Sequence, residues 1–162
     1  VNTITSNPTV NNDEANNIKI DSTGIYVAGT DIPGSTKEWR FENRSLTDGS
    51  LLTTFGTNGV ITSDPNTNSD DMLNGIAIDS SAIYMAGWAG AASNNDQWRI
   101  EKRSLTDGSL LTTFGTNGVV TSDPSTGNDE IYGIAIDSSA IYAVGFDSAL
   151  GNYQWRIEKR AK

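Results

Sequence analysis

Carboxylates are the side chains of this sequence that stand in pairs suited to acid–base work. Asp13-Glu14, Asp70-Asp71 and Asp129-Glu130 recur along the chain, and two carboxyl groups flanking a bond are what glycoside hydrolysis requires. Neighbours in sequence point apart, however, and one pair per repeat suits an architectural task, an acid accepting backbone N–H bonds where a strand begins. A second oxygen-rich run, Asp64, Asn66, Asn68 and Asp70, alternates like the ligands of a calcium loop. Ser69 takes the place of the loop's glycine, its closing glutamate is missing, and Thr126 and Asn128 fall out of register in the later copy. The run is a calcium candidate by spacing alone, and no other metal site is expected.

Other chemistries are excluded by composition. The chain has no His and no Cys, which removes the physiological-pH proton shuttle, disulfides, most zinc sites and the His-dependent triads. "GTNG" around Asn58 neither follows the right strand nor opens a helix, so it reads as a turn rather than a phosphate cradle. No cofactor and no enzymatic activity is expected. Trp88, Phe146 and Tyr153 lie among Asn, Asp and Gln, a composition suited to stacking on a sugar or gripping a protein, and Asp70 and Asp129, in other loops expected on the same face, complete the candidate set.

A net charge of −9 argues against nucleic acid and anionic lipid as partners. No apolar run is long enough to span a bilayer. The acidic, Lys-poor, Asn/Thr/Gly-rich surface and a start at Val1 suit a processed or excerpted extracellular chain. Asn43-Arg44-Ser45 is a glycosylation sequon in a eukaryotic secretory setting.

The elements that position these residues repeat. "SLTDGSLLTTFGTNGV" occupies residues 45–60 and again residues 104–119. Trp39, Trp98 and Trp155 open "WRFENR", "WRIEKR" and "WRIEKR". "ITSNP", "ITSDP" and "VTSDP" form a second set, and "IKIDSTGIYVAG", "IAIDSSAIYMAG" and "IAIDSSAIYAVG" a third. The unit is about 58 residues long and occurs three times, over approximately 1–44, 45–103 and 104–162.

Each unit holds four strand-like runs bounded by Gly, Pro, Asp, Asn and Ser. In the middle unit they fall at 60–63, 75–79, 82–87 and 98–104. In order of appearance we name them D, A, B and C. No segment has a sustained helical period, and "DSSA" suits a tight hairpin between A and B. A and B are apolar or small on both faces, C alternates, and D is short. That gradient at this period predicts an all-β chain of three four-stranded antiparallel propeller blades. A solenoid has a shorter repeat, and a sandwich does not repeat its sequence. Nine of the eleven basic residues lie in C strands or the tail, interleaved with Glu42, Glu101 and Glu158. Cross-strand ion pairing is the expectation.

The stretch "WRIEKRSLTDGSLLTTFGTNGVVTSDPSTGNDEIYGIAIDSSAIYAVG" resembles the bacterial delta-sixty repeat family and the related seven-bladed propeller repeats. "DGSL" followed by "FGTNGV" is the most specific part. Leu52 and Leu111 stand where that family commonly has Asp, and "DSSA" replaces its "DGK"-type turn. The resemblance implies tandem blades in secreted or surface proteins, with no common catalytic activity.

Three blades cannot close a ring, because propellers run from about four to eight blades. The first D strand, at Ile4 and Thr5, has no C strand before it, and the last C strand, around Trp155 and Ile157, has no D strand after it. Open edges of this kind are normally covered. Strand sharing between two chains in a six-bladed dimer is the favoured expectation. A head-to-tail filament and an excerpt from a longer chain are the alternatives. The D-to-A and B-to-C loops diverge among the repeats, whereas the A-to-B and C-to-D loops do not, so a binding face belongs on the diverging side. Function is expected to be structural or interaction-based, with a glycan- or protein-binding module as the alternative.

Overall fold

A computed structural model describes residues 3–91 and 95–162. The chain is all-β. Strands β1 (Glu14–Ile20), β2 (Ile25–Asp31), β3 (Glu38–Arg44) and β4 (Val60–Ser63) form one antiparallel sheet in that order. Strands β5 (Asp71–Ile78), β6 (Ile83–Ala91), β7 (Asn95–Arg103) and β8 (Val119–Ser122) form a second. A third holds β9 (Glu130–Ile136), β10 (Ala140–Asp147) and β11 (Gln154–Ala161). None of the three sheets closes on itself. Two sheets therefore have the expected four strands, and the third has three. The strand expected at Ile4 and Thr5 is not formed, because residues 3–8 pair with no neighbouring strand.

Turn chemistry starts each sheet. Asp79 Oδ1 accepts hydrogen bonds from the N–H of Ser81 at 2.8 Å and of Ala82 at 3.0 Å, closing the β5–β6 hairpin. Asp21 and Asp137 repeat this in the other sheets, the side-chain-to-backbone closure that makes Asp a turn residue. An equivalent glycine in each sheet is obligatory for space. A Cβ on Gly29, Gly87 or Gly145 would collide with the carbonyl of Glu14, Met72 or Glu130. Each lies beside a bulge in the pairing of its sheet's first two strands, a site where backbones approach closely. This explains the recurring "AG", "AG" and "VG" of the third sequence landmark.

The core lies between sheets, not within one. Tyr26, Trp39, Phe41 and Phe55 pack on Leu73, Ile76 and Met85 between the first and second. Tyr84, Trp98, Ile100 and Phe114 pack on Ile131, Ile141 and Ala143 between the second and third. The middle sheet is thus buried on both faces, and the outer sheets on one. Phe55 and Phe114 come from the two identical loops, which bring one ring to each gap. Asn58 and Asn117 adopt left-handed φ values of 56° and 53° inside those loops, a conformation that Asn tolerates better than most residues.

Candidate functional site

The contact between sheets is built from a small set of residues and occurs twice. Trp39 Nε1 on β3 donates to the carbonyl of Trp88 on β6 at 3.1 Å, and Trp98 Nε1 on β7 donates to the carbonyl of Phe146 on β10 at 3.0 Å. A guanidinium caps each indole, Arg99 at 6.0 Å from the Trp39 ring and Arg156 at 5.7 Å from that of Trp98, within the range of cation–π attraction. Asn16 Nδ2 donates to the carbonyl of Leu73 at 3.1 Å, and Asn74 Nδ2 to that of Ile131 at 2.8 Å. The short strands β4 and β8 contribute Ser63 and Ser122, whose hydroxyls donate to Glu101 and Glu158 of the next sheet, each at 2.9 Å.

Beneath each serine lies an ion-paired ladder. Glu101 is completely buried between Arg99 and Arg103, at 2.8 and 2.6 Å. Glu42 sits likewise between Arg40 and Arg44, and Glu158 between Arg156 and Arg160. The pairing of these glutamates runs along each strand between residues two apart, while Arg40–Asp31 at 3.0 Å and Arg156–Asp147 at 3.3 Å are cross-strand pairs of the expected kind. Residues i and i+2 share one face of a strand, and the carboxylate lies between two guanidinium forks. Burial pushes the Glu101 carboxyl up, but the Arg103 and Arg99 charges outweigh it and hold the acid below its ordinary value.

Two faces equivalent to the two halves of this inter-sheet contact are open. Trp155 and Ile157 on β11 correspond to Trp39 and Phe41, and to Trp98 and Ile100. Trp39 and Trp98 are 0% and 1% exposed, whereas Trp155 is 95% exposed and Ile157 70%. The outer edge of β11 pairs with no strand among the described residues. At the opposite end, the first sheet presents a cavity of about 240 Å³ lined by Ile4, Pro8, Ala15, Gly29, Thr30 and Arg40, among others. Ile4 and Ser6 lie at its border. The Ser6 hydroxyl donates to Glu42 at 3.3 Å, the first-sheet counterpart of the Ser63–Glu101 and Ser122–Glu158 bonds. Of the four residues assigned to assembly, Trp155 and Ile157 thus share one open face, Ile4 lines the other, and Thr5 is exposed beside Ile4.

The remaining candidates scatter. Trp88 is only 8% exposed, and its carbonyl is committed to Trp39. Phe146 is also buried, with Tyr153 stacked over it at 4.2 Å between ring centroids and Tyr132 at 5.7 Å. Tyr153 and Tyr132 are exposed. Asp129 is fully buried and accepts from the N–H groups of Ser125 and Ser148, each at 3.1 Å. Its counterpart in the second sheet is Asp71, bonded to Gly90 N–H at 2.9 Å, not Asp70. Asp70 Oδ1 instead accepts from Lys37 N–H at 2.8 Å. Within the calcium-like run, Asn66 Oδ1 accepts from Asn68 N–H at 3.2 Å. No group of three or more acidic side chains placed to hold a metal ion occurs among the described residues.

Sequence reasoning missed one cluster. Glu38 on β3 lies opposite Asp31 on β2. Burial first, then the charges of Asp31 and Asp64, push its carboxyl up to about 7, against the opposing pull of Arg40. The signal was available, since the same position in the later repeats is Gln97 and Gln154. No protein-family model matches the chain, and no curated protein matches it.

Proposed function

We propose that the three sheets are consecutive blades of a β-propeller and that the chain is a self-assembling structural module of a secreted or surface protein. The resemblance to bacterial delta-sixty repeats supports this reading, as does the twice-repeated packing of one sheet on the next. A single observation carries it: the surface that is buried at both inter-sheet contacts recurs on β11, where Trp155 and Ile157 face solvent. Exposed apolar surface of this kind, on an unpaired strand edge, marks an association site. Residues 4–6 of a second chain supply a matching short segment. Deleting residues 1–8 tests the idea by sedimentation. Assembly is lost on this reading, and undiminished assembly of the truncated chain overturns it.

A second reading rests on a different observation, the exposed Tyr153 and Tyr132 rings gathered on Phe146. Such rings stack well on the apolar faces of sugars. Retention on a glycan array, lost in Tyr153→Ala, supports a carbohydrate-binding module, and an array without retention removes that reading.

A further inference from the structure

We infer that Trp155 of one copy seats in the first-sheet cavity of a second copy, and reciprocally, so that two chains close a single ring. The inference rests on the assembly reading above and specifies its joint. At the two contacts inside the chain, each tryptophan meets a carbonyl and a guanidinium of the next sheet: Trp88 and Arg99 for Trp39, Phe146 and Arg156 for Trp98. The corresponding positions in the first sheet are Thr30 and Arg40, and both line the 240 Å³ cavity. The chain thus carries one indole without a seat and one seat without an indole.

The border of the seat is already in place. A Cβ on Gly49 would strike Ile4, just as one on Gly108 would strike Ile61 of β4. Together with the Ser6–Glu42 bond, this sets residues 4–6 against the first sheet as β4 is set against the second and β8 against the third. Both β4 and β8 are also paired with a tryptophan strand, Trp39 opposite Ser63 and Phe41 opposite Ile61, then Trp98 opposite Ser122 and Ile100 opposite Val120. The same register places Trp155 opposite Ser6, Arg156 opposite Thr5, and Ile157 opposite Ile4 of the second copy. Trp155 Nε1 then donates to the Thr30 carbonyl, and the Arg40 guanidinium caps the indole. One position differs: Tyr132 replaces the Asn16 and Asn74 amides, so a phenol occupies that part of the joint between chains.

Closure by two copies fits the number of sheets. Residues of β1, β5 and β9 line one concavity of about 980 Å³, so the first strands of all three sheets turn around a common axis. Two copies give six sheets, inside the range of about four to eight in closed propellers. Each copy uses its one indole and its one seat, which leaves no free joint for further growth.

The absence of native cysteine makes disulfide trapping specific. The double variant Thr5→Cys/Arg156→Cys should oxidise to a covalent dimer on a non-reducing gel. Thr3→Cys/Arg156→Cys, two residues out of register, should not, because a disulfide needs Cβ atoms about 3.5–4.5 Å apart. A ladder of larger species overturns the closed pair. Equal linkage from both variants, or none, with a multimer still present in light scattering, overturns the register while leaving the assembly reading standing. A monomer in light scattering overturns both. The unmodified chain gives an independent readout: Trp155 is the one exposed indole of the four, so the summed tryptophan emission should shift to the red on dilution, and a spectrum that is constant with concentration while the mass falls contradicts the seat.

Discussion

Trp39 reaches from the first sheet to the backbone of the second, donating its indole N–H to the carbonyl of Trp88 at 3.1 Å. Two sheets that share no ladder are joined through the largest buried side chain at their boundary. Trp39→Ala should therefore cost about 3–5 kcal/mol of folding stability, the range for truncating a buried aromatic residue. Trp155→Ala should change the stability of the dilute chain by less than about 0.5 kcal/mol, as an exposed site does. Urea unfolding of the two variants under dissociating conditions checks the contrast, and equal losses would contradict it.

Glu101 holds the middle ladder together from a fully buried position. Glu101→Gln leaves two guanidiniums facing an uncharged partner, and breaking a buried pair in this way costs about 3–5 kcal/mol. Glu158→Gln, in the more open third sheet, should cost less in the isolated chain. Chemical denaturation at pH 7 measures the difference.

Gly87→Ala places a methyl group against the Met72 carbonyl. Neither neighbour can yield, since both belong to one ladder at its bulge. The substitution should destabilise by more than the roughly 1 kcal/mol scale of ordinary strand propensity, whereas Gly34→Ala, with open space around it, should be close to neutral. Thermal melts of the pair decide the point.

The Glu38 carboxyl, raised to about 7 from an ordinary 4.5, keeps a proton in the folded state that the unfolded chain has already released. Between these two values the folded protein binds more protons, so stability falls as pH rises. Below about 4.5 both states are protonated and the effect vanishes. Asp71, also raised to about 7 by burial, adds a slope of the same sign. Glu38→Gln, which installs the residue found at Gln97 and Gln154, should stabilise the chain above pH 7 and flatten this part of the profile. Melting curves from pH 4 to 8 measure it, and an unchanged slope in the variant would refute the assignment.

Much of the fold was legible because its units repeat. Val60–Ser63 appears in the structure with the bounds its composition suggests, and the Asp79 turn closes as "DSSA" implies. β5 and β7 begin several residues before their predicted starts and β6 runs several residues past its predicted end, because pairing with a neighbour extends a strand into sequence that local propensity reads as loop. The Glu101 ladder was partly hidden for a related reason. Alternation identifies the charged face of β7 but not that another sheet's serine covers it. Ile4 and Thr5 carry the same "ITS" signal as β4 yet remain outside any strand, since a strand needs a partner as well as a sequence. The diverging loops were visible as a set, but nothing local distinguishes a buried Trp88 from an exposed Tyr153.

The most direct test is the solution mass of the unmodified chain over a concentration series, by light scattering or sedimentation equilibrium. The account predicts a species of twice the chain mass that persists as concentration rises and does not extend into larger polymers. A monomer at every concentration would contradict it.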